Sequence, residues 1–213
     1  MKQKLALAIL VIIAGAIAFF ILQSQPQPKQ MDSLLTNDGR PLRTLEGHWA
    51  LGNVVSLIRH TERCDRSENQ CVDGDDGITI PGAKEAMKIG VGYKNLPAHT
   101  TVIYNSPIKR TVQTADFMFG RKTTNQPWLI ENCKESLQEN IFKYKESGKN
   151  LILITHSGCI NSLKNKQGAA LIKSNLNIDE TYGYSVFLTV DKHKREINIL
   201  GYLLAKDWDA AYK

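Results

Sequence analysis

The sequence predicts an α/β fold, a three-layer sandwich in which a mostly parallel, doubly wound sheet carries helices on both faces. Three observations carry that expectation. Apolar, β-branched runs at Val54 to Ile58, Thr101 to Tyr104 and Leu151 to Thr155 have the length and composition of strands buried on both sides. Stretches with helical spacing separate them, the alternation that builds parallel sheets. Each run also ends in polar residues, Arg59-His60, Asn105-Ser106 and Thr155-His156, as expected where neighbouring strands deliver their carboxyl ends to one crevice.

The helices follow from caps and spacing. Thr79 caps a helix expected from about Ile80 to Tyr93, with Pro81 tolerated in its first turn. Ser106 with Pro107 starts a second, carrying Val112, Ala115, Met118 and Phe119 on one face. A third is expected over Glu135 to Ser147, stopping near Gly148, and a fourth from about Cys159 to Lys166. Tyr184 to Val190 and Ile197 to Leu203 read as strands joined by the polar segment Asp191 to Arg195, a hairpin that adds an antiparallel edge.

The chain of 213 residues is long enough for one domain, and 42% hydrophobic against 23% charged residues places it with folded proteins rather than disordered ones. Residues 34–213 are expected to form the domain, residues 25–33 a polar, proline-bearing linker, and residues 1–24 a signal peptide or membrane anchor. The anchor reading rests on the apolar stretch Leu5 to Leu22, at the lower limit for crossing a bilayer. Lys2 and Lys4 precede it, so the positive-inside rule keeps the N-terminus in the cytoplasm and exports the rest of the chain. Ala14-Gly15-Ala16 resembles a cleavage site, but Ile17 to Leu22 continues the apolar run, which favours an uncleaved anchor. The expected location is the periplasm, with the domain tethered to the inner membrane or released after cleavage.

Four cysteines, Cys64, Cys71, Cys133 and Cys159, lie in the exported part, an even number suited to an oxidising compartment. Cys64 and Cys71 are near enough to close a small loop, leaving Cys133 with Cys159, although the number alone allows three connectivities. A zinc site is the competing reading, disfavoured because the gap between Cys64 and Cys71 exceeds the usual ligand spacing. Without Lys2 and Lys4 the 27 basic residues fall to 25 against 21 acidic, leaving +4. That balance suits an anionic substrate, and no basic run long enough to track a nucleic-acid backbone accompanies it.

Phosphoryl transfer through histidine needs a neutral imidazole, several cations around the phosphate and an acid for the leaving oxygen. The stretch Arg59-His60-Thr61-Glu62-Arg63 supplies a nucleophile between two guanidiniums, whose planar forks meet phosphate oxygens bidentately. Arg110 lies in the first turns of the second helix, whose N-terminus adds its dipole. His156 can donate to the phosphate opposite His60.

These residues resemble the histidine phosphatase superfamily and its phosphoglycerate mutase-like fold, with an Arg-His signature, a Ser-Pro-x-x-Arg segment followed by Thr-Ala, and a late histidine at a strand end. Arg59, His60, Ser106, Pro107, Arg110, Thr114, Ala115 and His156 carry the match, Gly77 to Gly82 looks like the family's helix start, and Arg63 matches the extra arginine of its acid-phosphatase branch. The run from Arg59 to Cys71, with Cys133 and the segment Thr155 to Cys159, is similar to the Ais family of periplasmic phosphatases of the lipopolysaccharide core heptose(II) phosphate.

The resemblance implies a metal-independent phosphomonoesterase with no cofactor. His60 would become a phosphohistidine, Arg59, Arg110 and His156 would hold the phosphate, and a phosphorylated sugar would be the substrate. A phosphatase for phosphohistidine or small phosphate esters, or a non-catalytic phosphate-binding envelope protein, are the alternatives. Two departures stand out. Thr61 replaces the family's glycine and is expected to narrow the room beside His60, and Ser157 after His156 removes the His-Asp pair of the acid phosphatases. The proton donor is then sought at Glu131 or Glu135, with Glu131 preferred and Glu62 a further candidate, while Glu62, Arg63 and Ser106 are expected to contact substrate. His48, His99 and His193 read as loop or surface histidines. The acidic loop of Asp65, Asp73, Asp75 and Asp76 reads as solvated charge rather than a calcium site, and Trp49, Trp128 and Trp208 as packing residues rather than sugar platforms.

Overall fold

A computed structural model describes residues 31–172, 176–177 and 179–212, together with Gly15. Apart from Gly15, the segment expected to anchor the chain, and all of the linker before Met31, lie outside the described residues. Packed chain begins earlier than the expected linker end at residue 33. Met31 is buried in the core, and Ser33 bridges to Tyr202 while the Leu34 amide donates to the Tyr202 carbonyl.

Helix α1, Arg40–Ala50, precedes strand β1, Val54–Arg59. Then come α2, Ile80–Asn95, β2, Thr101–Asn105, α3, Lys109–Phe119, and the two-residue β3, Thr124–Asn125. Helix α4, Cys133–Tyr144, leads to β4, Asn150–Thr155, and the single turn α5, Ser157–Ile160. The hairpin β5, Ser185–Asp191, and β6, Glu196–Leu203, is followed by the short α6, Trp208–Ala211. The sheet order is β3-β2-β4-β1-β5-β6, parallel from β3 to β1 and antiparallel across β5 and β6.

Two-residue periodicity divides the strands between two cores. Val55, Leu57, Leu151 and Leu153 face α4 and α5 with Leu137, Ile141 and Ile160, whereas Val54, Ile58, Ile152 and Ile154 face α1, α2, α3 and α6 with Leu45, Ala86, Ala115 and Trp208. This is the expected three-layer sandwich. Helix α2 starts where expected, with the Thr79 hydroxyl accepting from the Gly82 amide. It lies so close to α3 that a Cβ on Gly90 would come within 1.9 Å of the Met118 carbonyl oxygen.

Helix α3 starts at Lys109 rather than at Ser106 with Pro107, β3 and α6 have no counterpart in the sequence expectations, and three further elements differ. Helix α1 was not foreseen; it buries only Leu45 and Trp49, one i,i+4 pair in a polar stretch. Helix α4 begins two residues before Glu135 and ends at Tyr144, so the expected stop near Gly148 falls in the following turn. Helix α5 covers only Ser157–Ile160 instead of running from Cys159 to Lys166. The Asn165 side chain accepts from the amides of Gln167 and Ala169, and the Leu171 amide donates to the Leu163 carbonyl, so a tight hairpin competes with further helix.

Candidate active site

The register of the parallel strands brings the histidines together. Arg59 pairs with Thr155 and Asn105 with Ile154, so β1, β2 and β4 end level with one another. The ladder continues one step beyond each strand: the His60 amide donates to the Thr155 carbonyl and the Ser106 amide to the Ile154 carbonyl. The His60 and His156 rings consequently lie with centroids 5.4 Å apart, edge to face. They open on a cavity of about 660 Å³ whose wall includes Arg59, Arg63, Arg66 and Arg110.

His60 is 3% exposed, and its Nδ1–H donates to the Thr61 carbonyl oxygen at 2.8 Å. That bond places the lone pair on Nε2. Burial pushes the imidazole well below its usual value of 6.5, and the charges of Arg110 and Arg59 act the same way, against the opposing pull of the Thr61 carbonyl. His60 is therefore neutral at pH 7, the protonation state of a nucleophile.

His156 belongs to the same network. An Arg110 Nη donates to its Nδ1 at 3.4 Å, which leaves Nε2–H to donate to Ser106 Oγ at 3.2 Å. Burial first, then the neighbouring Arg110, Arg63 and Arg59, lower its pKa to about 4. Arg110 Nε is buried without a hydrogen-bond partner among the described residues, a donor held in reserve at the cavity wall.

Arg59, also 3% exposed, is held by groups that arrive from the loop before β5. Its Nη1 donates to the Thr181 hydroxyl, and its guanidinium lies 3.9 Å from the centre of the Tyr182 ring. Tyr182 in turn stands 5.8 Å from the His60 ring. Sequence reasoning did not find Thr181 or Tyr182, because neither residue type nor spacing links them to strand β1.

Thr61 does not narrow the site as expected. Its amide donates to Thr114 Oγ1 at 3.1 Å and its hydroxyl lies 3.3 Å from the same oxygen, so the side chain turns toward α3 and away from the cavity. Glu62 is tied by Ser67, Asn69 and the capping hydroxyl of Thr79, and it lines a separate cleft with Tyr182 and Glu85. Arg63 forms a two-pronged pair with Asp65 while still reaching the cavity wall. Glu131 is exposed and absent from that wall, whereas Glu135, one helical turn further along, lines it.

Both disulfides hold this wall. Cys64–Cys71 closes the loop that carries Arg66, and Cys133–Cys159 ties the start of α4 to α5, next to Lys134 and Ser157. The pairing is the one expected, and it removes the zinc alternative because all four sulfurs are used. In the acidic loop Asp73 and Asp76 each meet Lys109 Nζ at 3.2 Å, so one cation from the start of α3 offsets part of their charge. His99 donates to the Gly148 carbonyl, Trp49 packs on Tyr93, and Trp128 stacks on Tyr144, each outside the site. Among the described residues no group of three His, Cys, Asp or Glu side chains is arranged to hold a metal ion.

No profile of a known protein family matches the chain. Its sequence is similar to the lipopolysaccharide core heptose(II)-phosphate phosphatase of Salmonella typhi, 33% identical over 142 residues, covering 65% of this chain and 70% of that protein. The protein of the same name from Salmonella arizonae is 36% identical over 119 residues, 54% of this chain and 58% of its own length. Among solved structures, the protein histidine phosphatase SixA complexed with tungstate superposes with a TM-score of 0.53 at 14% identity, over 72% of this chain and 98% of that one, a likeness of fold. With 33% of residues identical across 70% of the Salmonella typhi protein, and with a phosphoglycerate mutase-like α/β fold beneath them, the chain belongs to the family of lipopolysaccharide core heptose(II)-phosphate phosphatases.

Proposed function

We propose that the chain is a phosphomonoesterase that works through a phosphohistidine on His60 and removes phosphate from a heptose of the lipopolysaccharide core. The observation that carries the chemistry is the neutral His60 imidazole, its Nδ1 held by Thr61, at the wall of a cavity lined by Arg59, Arg110 and His156. The substrate follows from the relatives, whose name assigns them that activity.

In the first step the His60 Nε2 lone pair forms a bond to phosphorus as the ester P–O bond breaks. Arg59, Arg110 and the Nε2–H of His156, which exchanges Ser106 Oγ for a phosphate oxygen when substrate binds, stabilise the charge that gathers on the three equatorial oxygens. The leaving oxygen takes its proton from Glu135, the carboxyl group at the cavity wall, in place of Glu131. In the second step water bonds to phosphorus, the N–P bond breaks, and the water proton returns to Glu135. Arg63 and Ser106 support the phosphate, and Glu62 acts as a positioning residue that fixes the loop bearing Arg63.

The two disulfides and the apolar stretch Leu5 to Leu22, as tether or signal, support the periplasm as the working compartment. Incubating isolated lipopolysaccharide with the full chain and measuring released phosphate tests the reading. Loss of the heptose(II) phosphate is expected. Retention of every core phosphate, in a preparation that hydrolyses an aryl phosphate, overturns the substrate assignment and leaves the chemistry standing.

A further inference from the structure

The cationic wall of the cavity exceeds what one phosphate requires. Arg59, Arg63, Arg66, Arg110 and Lys134 face Asp65 on Arg63 and the carboxyl group of Glu135, so with both histidines neutral three positive charges remain when Glu135 is ionised and four when it holds the proton it donates. A phosphate monoester brings about −1.5 to −2 at neutral pH. The cavity, about 660 Å³, is also the size of a site for a whole drug-sized ligand rather than for a single phosphate group.

The surplus is located. Arg66 and Lys134 are exposed, and neither forms an ion pair among the described residues. Arg66 ends the turn Cys64–Arg66, one residue from a carboxylate already taken by Arg63, and, after burial and Arg63, it is one of the charges that lower the Arg110 pKa. Lys134 stands in the first turn of α4, where the helix dipole favours anions and a lysine is misplaced for stability. Each lies within two residues of a half-cystine, so the backbone that presents it is fixed by a disulfide. Two cations without an ion partner on the wall of one anion site leave charge there that a bound anion would offset.

We propose that Arg66 and Lys134 form a second anion subsite, so that the preferred substrate carries another phosphate or carboxylate near the ester being hydrolysed. This rests on the reading of the His60 cavity as a phosphate site. It adds a requirement that neither the family relationship nor the phosphoryl chemistry imposes.

The test compares binding of a hexose 6-phosphate and a hexose 1,6-bisphosphate to the full chain carrying His60→Ala, by calorimetry at low salt. The bisphosphate is expected to bind about tenfold or more tightly, as for an added charge-assisted contact. Adding Arg66→Ala with Lys134→Ala brings the two affinities within about twofold, and Arg66→Lys with Lys134→Arg keeps the preference. Equal affinities in the parent, or a preference that survives the double alanine substitution, overturn the subsite. Vesicles separate the two sources of anionic charge: capture by anionic but not zwitterionic lipid, without a bisphosphate preference, assigns the cations to a membrane surface and overturns it as well. Failure of the enzymatic reading shows elsewhere, as an unmutated chain that hydrolyses no aryl phosphate, and leaves this binding comparison intact.

Discussion

The Nδ1–H of His60 donates to the carbonyl oxygen of Thr61, its neighbour in the chain, at 2.8 Å. A bond between adjacent residues cannot be lost by movement of a distant element, so the tautomer is set by the local backbone. The free nitrogen is Nε2, and the proposed phosphohistidine forms there. His60→Ala is expected to lower turnover of an aryl phosphate by on the order of a thousandfold or more. Rapid quenching of the unmutated chain with labelled substrate should trap an acid-labile, base-stable phosphoryl group. Equal turnover in the variant, or label on another residue, would sink the assignment of His60.

The His156 pKa of about 4 gives the pH dependence a sign. In the unfolded chain the same ring titrates near its ordinary 6.5, so between pH 6.5 and 4 the unfolded state binds the extra proton and the folded state does not. Stability from this group, and from His60, whose pKa is lowered in the same direction, is complete above about pH 6.5 and falls as the pH drops toward 4. The thermal midpoint should therefore decline over that window, and a bound phosphate analogue, which favours the protonated rings, should flatten the decline. A midpoint that rises on acidification would contradict the burial of these two imidazoles.

The strands and the paired histidines were legible because strands buried on both faces read as unbroken apolar runs, and the residue after each run must leave the sheet at its carboxyl end. Legibility stopped where long-range contacts decide. Thr181 and Tyr182 support Arg59 from 122 and 123 positions away, and nothing in their own segment records that partner. Glu131 and Glu135 sit in one polar stretch, and the start of α4 at Cys133, not composition, decides which of them lines the cavity. Thr61 looked obstructive because its rotamer depends on the Thr114 hydroxyl, a contact between the end of β1 and α3.

The two disulfides should separate in their effects. Cys133–Cys159 closes a span of 26 residues and Cys64–Cys71 a span of 7. On loop-closure entropy their removal costs roughly 3 and roughly 2 kcal/mol respectively. Replacing Cys133 and Cys159 by alanine should therefore lower the denaturation midpoint more. Replacing Cys64 and Cys71 frees the loop of Arg63 and Arg66, so its larger effect should be a raised KM. Denaturant titration beside steady-state kinetics reads both, and a pair of variants that differ in neither quantity would show that the bridges do not hold the wall.

Glu135 and Glu131 make the sharpest test of the proton donor. Both carboxylates lie near the start of α4, but only Glu135 lines the cavity that contains His60 and His156. An acid matters most when the leaving group is a poor one, since an alkoxide needs the proton during bond breaking and a nitrophenolate does not. Glu135→Gln should lower kcat on a sugar phosphate by about a hundredfold, within the usual range for general acid catalysis, and on a nitrophenyl phosphate far less. Glu131→Gln should change neither by more than about twofold. The contrast between substrates separates a lost proton donor from a damaged fold, which slows both alike. If Glu131→Gln shows the leaving-group dependence instead, the donor reaches the site from the other side of the helix start, and the cavity wall at Glu135 is not where the ester oxygen departs.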